Sequence, residues 1–224
     1  MSIQIEHCMD QFVFTPHAAA RHARRRLYEN AAHAPEDYQN SDVAISDRVP
    51  TENIPAPAKP AAVLIPLIAH PDGVTVLLTQ RSSKLRQHSG QIAFPGGKID
   101  PNDGGPLAAA LRETEEEIGL NQRYISLLGF LSPYFSTTGF RITPVVALVE
   151  PNIPLILNTQ EVSETFEVPM AFLMNPDNHK LEEREWNGEQ RRYFAMTHED
   201  RYIWGVTAGI IRMLWLRLYA AHDL

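Results

Sequence analysis

Two aliphatic runs, residues 61–69 and 74–79, are separated by Asp72-Gly73. Aliphatic and β-branched side chains at this density favour strands, and Asp-Gly between them signals a tight turn. A β-hairpin is therefore expected here. Further strand-like runs at 124–131, 142–149, 192–195 and 202–204 are interspersed with two helical segments, 107–118 and 205–220. Gly119 stands where a left-handed residue closes the first of these helices. There is no regular strand–helix–strand rhythm, so the expectation is an α/β fold whose mixed β-sheet is flanked by helices.

The 224 residues fit one domain with an extension, at roughly 100–200 residues per domain. Residues 17–32 carry Arg21, Arg24, Arg25 and Arg26 among alanines, which favours a helix with a thin apolar face and solvated arginines. Pro50, Pro55, Pro57 and Pro60 then punctuate a polar stretch. Residues 1–60 are accordingly read as an N-terminal helical arm and Pro-rich linker, with 61–224 as the compact domain. The arm is the candidate for homodimer or partner contacts.

Charge and composition exclude several function classes. The net charge of −7 repels polyanions, which argues against nucleic-acid binding and requires local cations wherever a phosphate is held. The single cysteine, Cys8, excludes an internal disulfide framework and a multi-cysteine zinc site, and fits a reducing compartment. The first residues lack a basic start and apolar run, and the apolar stretch 203–221 is interrupted by Arg212 and Arg217. No secretion signal or membrane span is expected, and the cytoplasm is the expected location.

The chemically informative helix reads Leu107-Ala-Ala-Ala-Leu-Arg-Glu-Thr-Glu-Glu-Glu-Ile-Gly-Leu120. Helical spacing gathers Leu107, Leu111, Thr114 and Ile118 into a core-facing stripe, and Glu113, Glu116 and Glu117 onto the opposite side. Like charges at these spacings cost roughly 0.2–0.5 kcal/mol per pair. The negative end of the helix dipole opposes them further. A solvated acidic face is one reading; a bound cation is the other. The preceding Phe94-Pro95-Gly96-Gly97 favours the cation, because paired glycines let the backbone approach a ligand. Carboxylate and phosphate oxygens are the donors that Mg²⁺ or Mn²⁺ prefers. Arg81 and Arg86, just ahead of this loop, suit bidentate phosphate recognition.

Residues Gly97 to Leu120 resemble the Nudix box, Gly-x5-Glu-x7-Arg-Glu-U-x-Glu-Glu-x-Gly-U with U aliphatic. Thr114 occupies a position that is usually aliphatic. Asp103 fills the first acidic position, with eight residues rather than seven before Arg112. The segment Leu77-Leu78-Thr79-x-Arg81-Ser82-x3-Arg86-x3-Gly90-x3-Phe94-Pro95-Gly96-Gly97-x2-Asp100 resembles the signature of the coenzyme A pyrophosphatase branch. The resemblance covers residues 61–220. It implies a Nudix-like α/β/α sandwich and metal-dependent hydrolysis of the diphosphate bond of coenzyme A, or its oxidised or ester forms. The products would be 3′,5′-ADP and 4′-phosphopantetheine. It further implies Glu113 and Glu117 as ligands of Mg²⁺ or Mn²⁺, with Glu116 as a further ligand or proton acceptor. Arg112 would act by orienting the glutamates, and Arg81, Arg86, Gly90, Phe94, Gly96 and Gly97 would line the substrate site. The alternatives are another substrate such as ADP-ribose or NADH, and a non-catalytic nucleotide sensor.

Overall fold

A computed structural model describes residues 14–36, 41, 58–85, 88–186 and 189–220. The linker prolines Pro50, Pro55 and Pro57, and Arg86, lie outside the described residues.

The expected hairpin forms from β1 (Lys59–His70) and β2 (Gly73–Arg81), turning at Pro71-Asp72. Pro60, placed by its sequence surroundings in the linker, is instead the second residue of β1. The runs near 125 and 142 become β5 (Ile125–Phe130) and β7 (Phe140–Val149). With β3 (Ile92–Ala93) at one edge, the order is β3-β2-β1-β7-β5. β4 (Gly96–Lys98) also pairs with β1, β6 (Tyr134–Phe135) with β7, and β8 (Val162–Pro169) with β2. The β1–β7 pair is parallel and its neighbours are antiparallel, so the sheet is mixed as expected.

Strand alternation sends side chains to two separate cores. On β1, Ile65 and Leu67 enter one core while Ala62, Leu64 and Ile68 enter the other. On β7, Val146 and Val145 divide in the same way. The first core is covered by α1 (Pro16–Arg26) and the C-terminal helix, the second by the Glu-rich helix α2 (Pro106–Ile118). This is an α/β/α sandwich. Helix α1 buries Ala19, Ala20 and Ala23, and the chain then leaves the helix at Leu27, short of the expected 32. Leu27 is drawn into the core, and Tyr28 exchanges backbone hydrogen bonds with Phe130 at 3.0 and 2.8 Å, which replaces the helical ladder.

After α3 (Met170–Leu173), a second, antiparallel sheet forms from β9 (Lys180–Trp186), β10 (Glu189–His198) and β11 (Arg201–Trp204). Arg201 on β11 joins the two sheets through bonds of 2.6 and 2.7 Å to Glu164 on β8 and one of 3.1 Å to Gln80 on β2. The chain closes with α4 (Val206–Leu218), whose Thr207 hydroxyl donates to the Ile92 carbonyl at 2.9 Å. Close packing explains Gly209, which lies under the Tyr134 ring, but Gly205 caps the helix with a positive φ of 63°. Among the described residues, no helix is long and apolar enough to cross a membrane.

Candidate active site

The two alanines of α2 determine where its carboxylates go. Ala109 and Ala110 are fully buried, and their small side chains let the helix approach β1 and β4 closely. Four-residue spacing continues the Ala109 ridge through Glu113 to Glu117 and the Ala110 ridge through Thr114 to Ile118. Glu117 is therefore not on a solvated face: it is only 4% exposed. Leu107 and Leu111, expected in the core stripe, are only partly buried. The expectation of three glutamates together opposite the core is corrected in the same way. Glu113 and Glu117 turn towards β4, while the Glu116 side chain is 57% exposed. Thr114, in an otherwise aliphatic position, satisfies its buried hydroxyl by donating to the Ala110 carbonyl at 2.6 Å.

Strand β4 supplies the floor beneath this pair. The Gly96 N–H donates to Glu117 Oε2 at 3.0 Å. A side chain at Gly96 would strike β1, with its Cβ 2.6 Å from Val63 Cα. One at Gly97 would lie 2.5–2.6 Å from the Glu113 carboxylate. Both glycines are thus required by close approach: one admits the strand pairing, the other the carboxylate.

Burial pushes the Glu117 carboxyl up to about 7, against the opposing influence of the Gly96 N–H and the Arg81 charge. Burial also raises Glu113, opposed by Arg112. Glu161, just before β8, adds repulsion to both and is held by a 3.0 Å bond from Asn158 Nδ2. Sequence reasoning missed Glu161 because it lies 44 residues beyond Glu117. The fold brings it back through the β2–β8 pairing, with a 2.8 Å bond from the Ser82 N–H to the Glu161 carbonyl, and through a 2.9 Å bond from the Asn158 N–H to the Glu117 carbonyl.

Arg112 organises the outer edge. Its Nε and Nη2 grip Asp103 at 3.0 Å each, and its Nη1 donates to Glu113 Oε1 and Glu116 Oε2, both at 3.1 Å. Asp103 is held below the usual carboxylate range by this guanidinium and by the Asp100 N–H. The shifted spacing of Asp103 in the sequence therefore does not remove it from the site. It anchors the arginine that orients Glu113.

The donor chemistry fits a hard divalent cation: Glu113 and Glu117, both destabilised by burial and by the repulsion of Glu161, face the Gly96-Gly97 backbone. As the side chains stand, no three His, Cys, Asp or Glu among the described residues form a closed ligand set. Glu113 and Glu117 are brought together; Glu116 is drawn outward by Arg112.

A cavity of about 630 Å³ is lined by residues of both sheets. Its apolar wall includes Val63, Phe94, Phe140 and Ile142, and its rim carries Arg184, Arg191 and Arg192. Arg81 belongs to both regions: it lines the cavity, and its charge bears on Glu117. Its Nε is buried without a hydrogen-bond partner among the described residues. Gly90, left-handed at φ 71°, secures that arginine by donating its N–H to the Arg81 carbonyl at 3.1 Å. Phe94 is buried and lines the cavity wall.

Comparison with known proteins gives consistent matches. Residues 58–194 match the NUDIX domain. An Escherichia coli protein described as "Uncharacterized Nudix hydrolase NudL" is 42% identical over 158 residues, covering 70% of this chain and 82% of that protein. Among solved structures, a MutT/nudix family protein from Enterococcus faecalis aligns with a TM-score of 0.44 at 22% identity, over 70% of this chain and 60% of that one. A C. elegans Ap4A hydrolase aligns with a TM-score of 0.42 at 20% identity, over 50% and 80% respectively.

Proposed function

This chain belongs to the Nudix family of hydrolases, and from that premise we propose that it cleaves coenzyme A, or its oxidised or thioester forms, at the diphosphate bond. Water adds to one phosphorus, the bridging P–O bond breaks, and the departing phosphate oxygen takes up a proton. The products are 3′,5′-ADP and 4′-phosphopantetheine. The observation carrying this reading is the position of Arg81. In the segment resembling the coenzyme A pyrophosphatase signature, this arginine lines a cavity large enough for a nucleotide derivative while its charge bears on the buried Glu117.

Mg²⁺ or Mn²⁺ bound here supplies charge neutralisation at the diphosphate and acidifies the attacking water. Glu113 and Glu117 would hold the cation, with Glu117 fixed by the Gly96 N–H and Glu113 by Arg112. Glu161 would be the third carboxylate of the set, and Glu116, paired with Arg112, would be a further ligand or proton acceptor. These groups titrate together, so proton acceptance belongs to the set. Arg112 is a positioning residue. Arg81, which lines the cavity, would offer its guanidinium to the diphosphate, a charge-assisted contact that an acidic protein needs there.

The test is a comparison of kcat/KM for coenzyme A, ADP-ribose and NADH with Mg²⁺ and with Mn²⁺. Coenzyme A is expected to lead by at least tenfold. A lead for ADP-ribose or NADH would overturn the substrate assignment. Tight nucleotide binding without turnover at any metal concentration would overturn the enzymatic reading.

A further inference from the structure

Glu36, Ser41 and Lys59 all precede the expected start of the compact domain at residue 61, yet they converge on the corner where β6 meets β7. Residues 136–139 turn that corner, and Ser136, Thr137, Thr138 and Phe140 line the cavity. The turn closes through the Gly139 N–H, which donates to the Ser136 carbonyl at 3.1 Å, with Gly139 at φ 83°. Ser136 Oγ accepts from the Phe140 N–H at 3.1 Å and lies 2.9 Å from Thr138 Oγ1. These bonds fix the shape of the turn, but the two residues of β6 are too short a strand to fix its position. The preceding segments supply that hold. The Phe135 N–H donates to Ser41 Oγ at 3.0 Å, and Ser41 is only 1% exposed. Arg141, opposite Phe135 in register, donates from Nε to Glu36 Oε1 at 2.8 Å. The Lys59 N–H donates to the Gly139 carbonyl at 2.9 Å, and its ammonium stands over the Phe140 ring.

We propose that the N-terminal arm shapes the substrate cavity: Ser41, supported by the Glu36–Arg141 pair, is a positioning residue that holds the 136–139 turn at the cavity wall and so sets substrate affinity. The NUDIX match begins at residue 58, so Ser41 and Glu36 act on the site from ahead of it. Without the Ser41 oxygen, the buried Phe135 N–H loses this acceptor, and β6 relaxes from its place, carrying Ser136, Thr137 and Thr138 with it. The α2–β4 corner shares no residue with the turn, so the loss falls on binding rather than on the chemical step. The inference rests on the proposed function in one respect, that this cavity receives the substrate; which nucleotide derivative that is does not enter.

Steady-state kinetics of the full-length protein with coenzyme A and Mg²⁺ test it. Ser41→Ala is expected to raise KM about fivefold with kcat within about twofold of wild type. Ser41→Thr, which keeps the oxygen, is expected to bring KM back to within about twofold. Glu36→Ala, at a surface ion pair, is expected to raise KM about twofold and decides the matter should Ser41→Ala not fold. Amide hydrogen exchange supplies the local readout: Phe135, Ser136 and Gly139 are expected to exchange faster in Ser41→Ala, with α2 unchanged. An unchanged KM in Ser41→Ala, or in Glu36→Ala where the first variant does not fold, would overturn the proposal. So would a fall in kcat as large as the rise in KM, or faster exchange along the whole chain, either of which would mark a merely structural role. If wild type hydrolyses ADP-ribose or NADH but not coenzyme A, the substrate assignment falls, and the same variants are compared on the substrate it takes. Turnover of none of the three would overturn both.

Discussion

At the corner where α2 meets β4, carboxylates are buried against glycine backbone; beneath β9–β11, arginines and aromatic rings line an open cavity. The first region concentrates negative charge at a cost to the fold. Glu117 is buried with its carboxyl raised to about 7, and Glu113 and Glu161 add repulsion. The second concentrates positive charge across a strand pair. Carboxylates buried in this way cost the fold unless positive charge offsets them. The difference teaches a division of labour. The corner is built from one helix and one short strand with Glu161 beside them, whereas the cavity is lined from both sheets, the C-terminal helix and the loops between them.

The sharpest way to break this comparison is at Glu117. Glu117→Gln keeps an acceptor for the Gly96 N–H but removes the charge, and turnover is expected to fall roughly 10²–10³-fold with substrate affinity retained. Steady-state kinetics would reveal any variant that stays active, and such a variant would place the chemistry elsewhere. Next in size is the contrast between Glu161 and Glu116. Glu161→Gln is expected to lower kcat by about 10–100-fold, and Glu116→Gln by less than about tenfold, because only Glu161 already bears on both buried carboxylates. The reverse ranking would restore Glu116 as the principal third carboxylate.

The smallest effect concerns stability. A carboxyl raised in the folded state binds its proton more tightly than in the unfolded chain, so its contribution is present below the unfolded value of 4.5 and is lost as pH rises towards 7. In chelator-treated protein, Glu117→Gln should therefore gain on wild type between pH 4.5 and 7, with a plateau of about 3 kcal/mol at most. Urea unfolding at pH 5 and pH 8 measures the gap. A gap that does not widen with pH would show that Glu117 folds without the strain assigned to it.

The two regions also differ in how far they could be read from sequence. The corner is nearly contiguous, running from Gly96 to Glu117, so the glycine pair, the arginine and the glutamates announce themselves by spacing. What spacing concealed there was orientation. Helical periodicity placed Glu117 opposite the core, but the fully buried Ala109 and Ala110 let α2 tuck in at an edge, and Glu117 follows that ridge inward. Asp103 looked displaced by one residue, yet the loop before α2 absorbs the extra residue and Arg112 still reaches it. The main strands and α4 were legible from aliphatic runs. β8 was not, because its buried residues Val162 and Val168 are separated by Ser163, Glu164, Thr165 and Glu167. β9 was equally silent: Lys180, Glu182, Glu183, Arg184 and Glu185 read as a solvated segment until pairing with β10 places Arg184 opposite Arg191. The cavity wall is a product of register, which charge spacing along a single segment does not reveal.

The central claim is that Glu113 and Glu117 together form the cation site on which catalysis depends. Electron paramagnetic resonance of Mn²⁺ added to metal-free protein tests it most directly, since bound ions lose the sharp free-ion signal. Wild type is expected to take up Mn²⁺ saturably, with Mg²⁺ competing, and the Glu113→Gln/Glu117→Gln double variant is expected to leave the free signal unchanged. Equal uptake by both proteins, or none by wild type even with 3′,5′-ADP present, would contradict the account.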